Sequence, residues 1–351
     1  MIVLSYFNDL YGTFFATRSR TINTVFVTVI SLLALFAVPT LANEYWLQAI
    51  LIPFLVFALA ALGLNLLTGF AGQLSLGTGG FMAVGAYAAF KMTTAWPEMD
   101  IIAIFFISGF FAAGVGILFG LPSLRIKGFY LAVATLAAQF FLIWLFNRVP
   151  WFYNDNPSGT ITAPPRTFAG VMVTGPEAAA EVRYLVALVL LAVFVFFSWN
   201  LMRSRFGRAW MAVRDMDVAA EIVGIPLLRT KLLAFGVSSY LCGVAGALFV
   251  FLYLGSAETI AFDVNVSFLV LFMIIVGGLG SIAGSIIGAA FITILPIFLT
   301  NLNPILGIDL AVDIAKHIEV IIFGGLIIVI LILEPHGIAR LIAITRERLR
   351  I

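Results

Sequence analysis

Asn65, Thr68, Gln73, Ser75 and Thr78 lie within one stretch that is also rich in glycine, Gly63-Leu64-Asn65-Leu66-Leu67-Thr68-Gly69-Phe70-Ala71-Gly72-Gln73-Leu74-Ser75-Leu76-Gly77-Thr78-Gly79-Gly80. Amides and hydroxyls offer donors and acceptors without charge, so they can hold a small polar solute weakly. Apolar runs on both sides leave almost no room for a water-exposed loop. Inside a bilayer such backbone is tolerated only where it is packed in protein or lines a wet cavity. A second break, Gly277-Gly278-Leu279-Gly280-Ser281, interrupts the other half of the chain. Paired interruptions of two halves point to a transport site, which adds Gly69 and Ser281 to the candidate lining. A tight turn between helices is the competing reading for each break.

Other chemistries find few residues. His317, His336 and the single cysteine Cys242 give no cluster for zinc or haem and no partner for an intrachain disulfide. None of the four lysines follows a glycine, so the chain has no G-x-x-x-x-G-K-[ST] phosphate loop. Asp, Glu, Lys and Arg are absent from the deep parts of the apolar runs, which argues against an ion-driven pump. Energy for directed movement would have to come from a separate ATPase. A net charge of +2 without a dense basic block leaves no electrostatic footprint for nucleic acid.

The elements that must position these residues are membrane helices. Of 351 residues, 63% are hydrophobic and 10% charged, and the mean hydropathy is +1.15. That is more apolar surface than one water-facing core can hide. The expected fold is an all-α, polytopic bundle of about eight to ten transmembrane helices with glycine-broken segments. Spans are expected near Ile22 to Ala42, Trp46 to Leu67, Leu76 to Ala95, Ile101 to Leu121, Gly128 to Phe146, Tyr184 to Leu201, Leu232 to Leu254, Asp263 to Val276, Ile282 to Leu299 and Ile318 to Leu333. The eighth has a clean apolar run only from Phe268 to Val276, so it either starts early, at Asp263 and Asn265, or is re-entrant. The first is longer than a secretory signal and is read as retained.

With both termini inside, 14 of the 19 basic residues fall on the cytoplasmic side, as basic loop residues should. The chain then divides into a cytoplasmic segment 1–21, a membrane domain 22–334 and a basic cytoplasmic tail 335–351. Within the membrane domain, 148–183 is an extracytoplasmic loop, polar and turn-rich with little helical or strand pattern. The inner loop 202–231 contains Arg208 to Gly224, which lacks proline and reads as one amphipathic helix at the membrane surface, ended by Gly224 and Pro226. Two ridges of small residues, Gly280-Gly284-Gly288 and Ser238-Cys242-Gly246, read as helix packing.

The run from Gly63 to Gly77 resembles the signature of the larger membrane subunit of branched-chain amino acid ABC importers. Pro122-Ser123-Leu124-Arg125-Ile126-Lys127-Gly128-Phe129-Tyr130-Leu131-Ala132 is similar to that family's inner loop and following helix. Ala219-Ala220-Glu221-Ile222-Val223-Gly224-Ile225 resembles its ATPase-docking segment, and Gly277 to Ser281 and Leu333-Glu334-Pro335-His336-Gly337 also match. Thr78 stands where the family usually has His, and Gln139 where an acidic residue is common. The resemblance implies a permease subunit in the bacterial inner membrane that carries branched-chain or related amino acids and is not itself an enzyme. It implies a second permease subunit, an extracytoplasmic binding protein and two peripheral ATPase subunits that hold the ATP and magnesium. Arg214, Asp215, Ala219, Ala220, Glu221 and Gly224 are the expected docking residues. The alternative is a stand-alone channel or secondary carrier for a small polar solute such as urea or an amide.

Overall fold

The computed structural model describes residues 33–123, 129–305, 321, 324, 325, 328, 329, 332 and 337–339. The expected segment 1–21, much of the first and tenth spans and most of the tail 335–351 lie outside the described residues.

The apolar runs fold as helices because helices satisfy their own backbone in hydrocarbon. In chain order these are α1 (Ile52–Asn65), α2 (Thr78–Ala95), α3 (Ile101–Ser123), α4 (Phe129–Arg148), α5 (Ala180–Arg203), α6 (Arg205–Asp215), α7 (Asp217–Ile222), α8 (Leu227–Leu248), α9 (Val264–Gly277) and α10 (Ile282–Ile305). Wider π-helical turns extend α1 at both ends, Trp46–Leu51 and Leu66–Phe70, and α8 at its end, Phe249–Leu254. Six of the described helical runs are long and apolar enough to cross a membrane: Trp46–Phe70, Ile101–Leu121, Tyr130–Arg148, Ala180–Arg203, Leu227–Leu254 and Thr259–Gly277. The doubtful eighth span therefore starts early: a 3₁₀ turn, Thr259–Phe262, leads into α9, and Asp263 caps it by accepting the Val264 N–H at 2.6 Å.

α2 falls short of that hydropathy because Lys91, Thr93 and Thr94 dilute it, yet 14 of its 18 residues are buried. It is enclosed by α8, α3 and α4, and it needs no lipid-facing surface. Small residues permit that closeness, since backbones in lipid are drawn together by packing rather than by a hydrophobic drive. A side chain at Gly85 would overlap the Gly243 carbonyl, and one at Gly246 the backbone of Met82. The Ser238-Cys242-Gly246 ridge is thus a packing seam, with the Cys242 thiol 3.8 Å from the Ala60 carbonyl. The second ridge needs correction. Gly284 and Gly288 do pack on Gly277 and Met273, but Gly280 has φ +74° and belongs to the break, against Gly69 and Arg214. Gly246→Val is expected to remove most of the monodisperse protein, because overpacking a fixed backbone costs about 1–3 kcal/mol or more. Gly114→Val, with no atom within 4 Å of the added carbon, should preserve the yield.

The 148–183 loop is more ordered than its composition predicts. β1 (Ile161–Thr162) pairs antiparallel with β4 (Ser256–Ala257), while β2 (Arg166–Phe168) and β3 (Val171–Thr174) form a hairpin turned by Ala169 and Gly170, both at positive φ. Arg166 ties the hairpin to the Thr93 and Pro97 carbonyls, and Lys91 donates to Trp151 O and Asn154 Oδ1. These bonds place the loop at the end of the bundle where α2 and α8 finish. The other end carries α6 and α7. They are two helices rather than the single one expected, because Met216 is extended between them. Ser204 begins α6 by accepting the Phe206 N–H at 3.1 Å, and Gly224 leaves α7 at φ +91°.

Candidate functional site

α1 carries Asn65 at its end, directly before the widened turn Leu66–Phe70. Its amide is wholly used. Nδ2 donates to Ser281 O and Ser285 Oγ, both at 2.8 Å, with Gly278 O at 3.4 Å, and Oδ1 accepts the Gly280 N–H at 2.9 Å. Ser281 Oγ accepts the Gly284 N–H at 3.0 Å and starts α10. Gly69 is glycine because a side chain there would overlap both Asn65 Oδ1 and Gly280 N. Asn65, Gly69 and Ser281 therefore form one joint in which the two glycine breaks meet, and the Asn65 amide is fully taken up by protein partners there.

Beyond Phe70 the chain leaves the helix and is not helical again until Thr78. The backbone of this segment is held: the Gln73 N–H donates to Leu67 O at 3.0 Å, Thr68 Oγ1 to Gln73 O at 3.1 Å, and the Leu76 N–H to Thr135 Oγ1 at 2.9 Å. Thr135 sits well inside α4, so the segment is packed among helices and is not a loop in water. Ser75 Oγ accepts the Gly77 N–H at 3.3 Å. The Gln73 side chain differs from all of these. It is 4% exposed, and among the described residues neither its Nε2 nor its Oε1 has a partner; Thr78 Oγ1 is likewise buried and has none among them. A buried polar group left unpaired costs about 1–3 kcal/mol, so Gln73 and Thr78 are the groups of this segment whose hydrogen-bonding capacity is open to water or a solute.

Gln139 is a further amide of the interior. Its Oε1 accepts the N–H of Gly80 and the Ser267 hydroxyl, and Nε2 donates to Phe262 O at 2.7 Å, joining α2, α4 and the entry to α9. A carboxylate has no hydrogen for Phe262, which gives a structural reason for the amide here. Gln139→Glu is expected to lower the thermal midpoint of the purified protein by the equivalent of about 1–3 kcal/mol. An unchanged midpoint would remove Gln139 from the framework.

At the opposite surface the expected docking residues divide. Asp215, Glu221 and Gly224 are exposed, Ala219 is half-buried, and Ala220 is buried against its own chain. Arg214 is also exposed, its side chain at 37%, while its Nη1 donates to the Gly69 carbonyl and its guanidinium pairs with Asp215 at 2.9 Å. The surface itself is made by Ile222 and Val223, which belong to the expected docking segment, together with Met216 and Val218, which the sequence analysis does not single out; all four are large, apolar and exposed, Ile222 and Val223 at 82%. Their signal was an apolar cluster within a loop of arginines.

Together these features define a polytopic helical membrane protein with a joined pair of glycine breaks below a buried polar segment, and an apolar face beside that joint. A family profile described as the permease component of the branched-chain amino acid transport system matches residues 46–331, and the chain belongs to this family of ABC transporter permeases. The high-affinity branched-chain amino acid transport permease LivM of Escherichia coli K12 is 29% identical over 317 residues, covering 85% of this chain and 70% of that one. A probable LivM of Methanocaldococcus jannaschii is 25% identical, covering 64% of each chain, and the fructose import permease FruG of Bifidobacterium longum is 24% identical over 69% of this chain and 71% of its own. No solved structure matches the chain.

Proposed function

We propose that this chain is the permease subunit of an importer in the bacterial inner membrane that moves a branched-chain or related amino acid, with both termini in the cytoplasm. A binding protein delivers the solute to the end that carries the β hairpin. Two ATPase subunits, which hold the ATP and magnesium, dock at the end that carries α6 and α7, and a second permease subunit completes the pathway. The Escherichia coli relative, named for branched-chain amino acids, covers 85% of the chain at 29% identity, which supports the amino acid reading.

The observation that carries the proposal is the exposed apolar face of Met216, Val218, Ile222 and Val223. Apolar side chains that their own fold leaves bare gain by being covered, at about 25 cal/mol per Å². Ile222 and Val223 touch little of their own chain, so a change there reads docking and not folding. The double variant Ile222→Asp, Val223→Asp is expected to insert and purify normally while losing ATPase co-purification and uptake. Wild-type co-purification would remove this face as the docking site. Gly224→Asp is a poorer probe because of its positive φ, and Ala220→Glu because it buries a charge within the chain itself.

A further inference from the structure

The docking face and the polar segment are separated by the joint of the glycine breaks, and the Arg214 side chain reaches from one to the other. Arg214 is the penultimate residue of α6, next to the extended Met216 turn from which the apolar face hangs. Its Nη1 donates to the Gly69 carbonyl at 2.9 Å. Its stem lies on Gly72, where a β-carbon would come within 2.8 Å of Arg214 Cγ, and its Nη1 would lie 3.2 Å from a β-carbon on Gly280. The Arg214 side chain thus touches the first break on both sides of Phe70 and touches the second break at Gly280. Gly280 in turn donates to Asn65, which holds Ser281 and Ser285. Asp215 pairs with the same guanidinium from the docking side.

We propose that Arg214 is the positioning residue that transmits movement of the docking face to both glycine breaks at once, and so to the segment that carries Gln73. This rests on the docking reading above and goes beyond it, because it assigns the transmission to one guanidinium. A planar fork with several fixed donors suits that role: it can hold a carbonyl and a carboxylate together, whereas an ammonium is a point charge on a flexible stem. Elements coupled in this way have two packed arrangements, and loss of the link decouples them without separating them.

The test uses the complete transporter in proteoliposomes. For Arg214→Ala, the ATPase subunits should still co-purify and hydrolyse ATP, while amino acid taken up per ATP hydrolysed falls about tenfold, within the range expected for a lost coupling contact. A thiol placed at position 73 should react differently in ATP-free and ATP-trapped states of the parent and identically in both states of Arg214→Ala. Arg214→Lys, which keeps one donor for Gly69, should recover part of the ratio. Unchanged uptake per ATP in Arg214→Ala, with the state dependence at position 73 retained, overturns the proposal. So does loss of ATPase co-purification in both Arg214 variants, which would make Arg214 a docking contact. Failure of the docking reading itself shows elsewhere, as wild-type co-purification in the Ile222 and Val223 double variant.

Discussion

Gln73→Leu is expected to reduce uptake about tenfold or more, the cost of one or two substrate hydrogen bonds lost in passage, while leaving the complex assembled. The unusual part is the second half. A buried glutamine normally supports the fold, and its replacement by an apolar residue leaves partners bare. Here the side-chain amide has no partner to leave bare, because the backbone N–H and carbonyl of Gln73 are the groups that Leu67 and Thr68 hold. Leucine fills a similar volume without burying an unmade donor and acceptor, so the purified variant should be at least as heat-stable as the parent. Thiol labelling gives a second reading: a cysteine at position 73 should be reached by a small water-soluble reagent in one transport state. Cys242 is buried and should stay silent. If Gln73→Leu instead lowers the yield of assembled protein and keeps uptake per molecule, the segment is packing and the solute passes elsewhere.

Asn65→Asp is expected to do the reverse. It replaces an amide by a group of the same size, yet it removes both hydrogens that Ser281 and Ser285 receive and sets a charge among the carbonyls of Gly278 and Ser281. Removing one partner from a buried polar cluster and leaving a charge uncompensated costs about 3–5 kcal/mol, which is a large share of the stability of most domains. The measurement is the thermal midpoint and the fraction of monodisperse protein, and both should fall sharply. An Asn65→Asp protein with the parent's midpoint and no uptake would show that Asn65 faces the solute after all and that the joint is not what holds the two breaks together.

These two amides show what the sequence reveals and what it hides. They lie in the same glycine-rich stretch and look alike as candidate lining, because composition registers only that each carries a donor and an acceptor. What separates them is a partner more than two hundred residues away: the Asn65 side chain meets Gly278 to Ser285, and the Gln73 side-chain amide has no hydrogen-bond partner among the described residues. The helices themselves were readable, since an uninterrupted apolar run in hydrocarbon has few other ways to satisfy its backbone. Thr78–Ala95 was readable too, although its burial deep in the bundle was not, because glycine-to-backbone contacts between α2 and α8 depend on which faces meet. Within 202–231 the amphipathic pattern is legible in the sequence, but its interruption at Met216 is not. One extended residue redirects the chain, and that redirection is what turns Ile222 and Val223 outward. The β hairpin escaped detection for a related reason: its strands are three and four residues long, and Arg166 bonds to Thr93 and Pro97 help to hold it.

The central claim is that this chain moves a solute only when separate ATPase subunits drive it. Uptake of a labelled branched-chain amino acid into proteoliposomes tests it, with the chain reconstituted either alone or together with its partner permease, the ATPase pair and the loaded binding protein. The account predicts uptake that requires both ATP and the ATPase pair, and none by the chain alone. Equal uptake by the chain alone, without ATP, would contradict it and make the protein a channel or carrier in its own right.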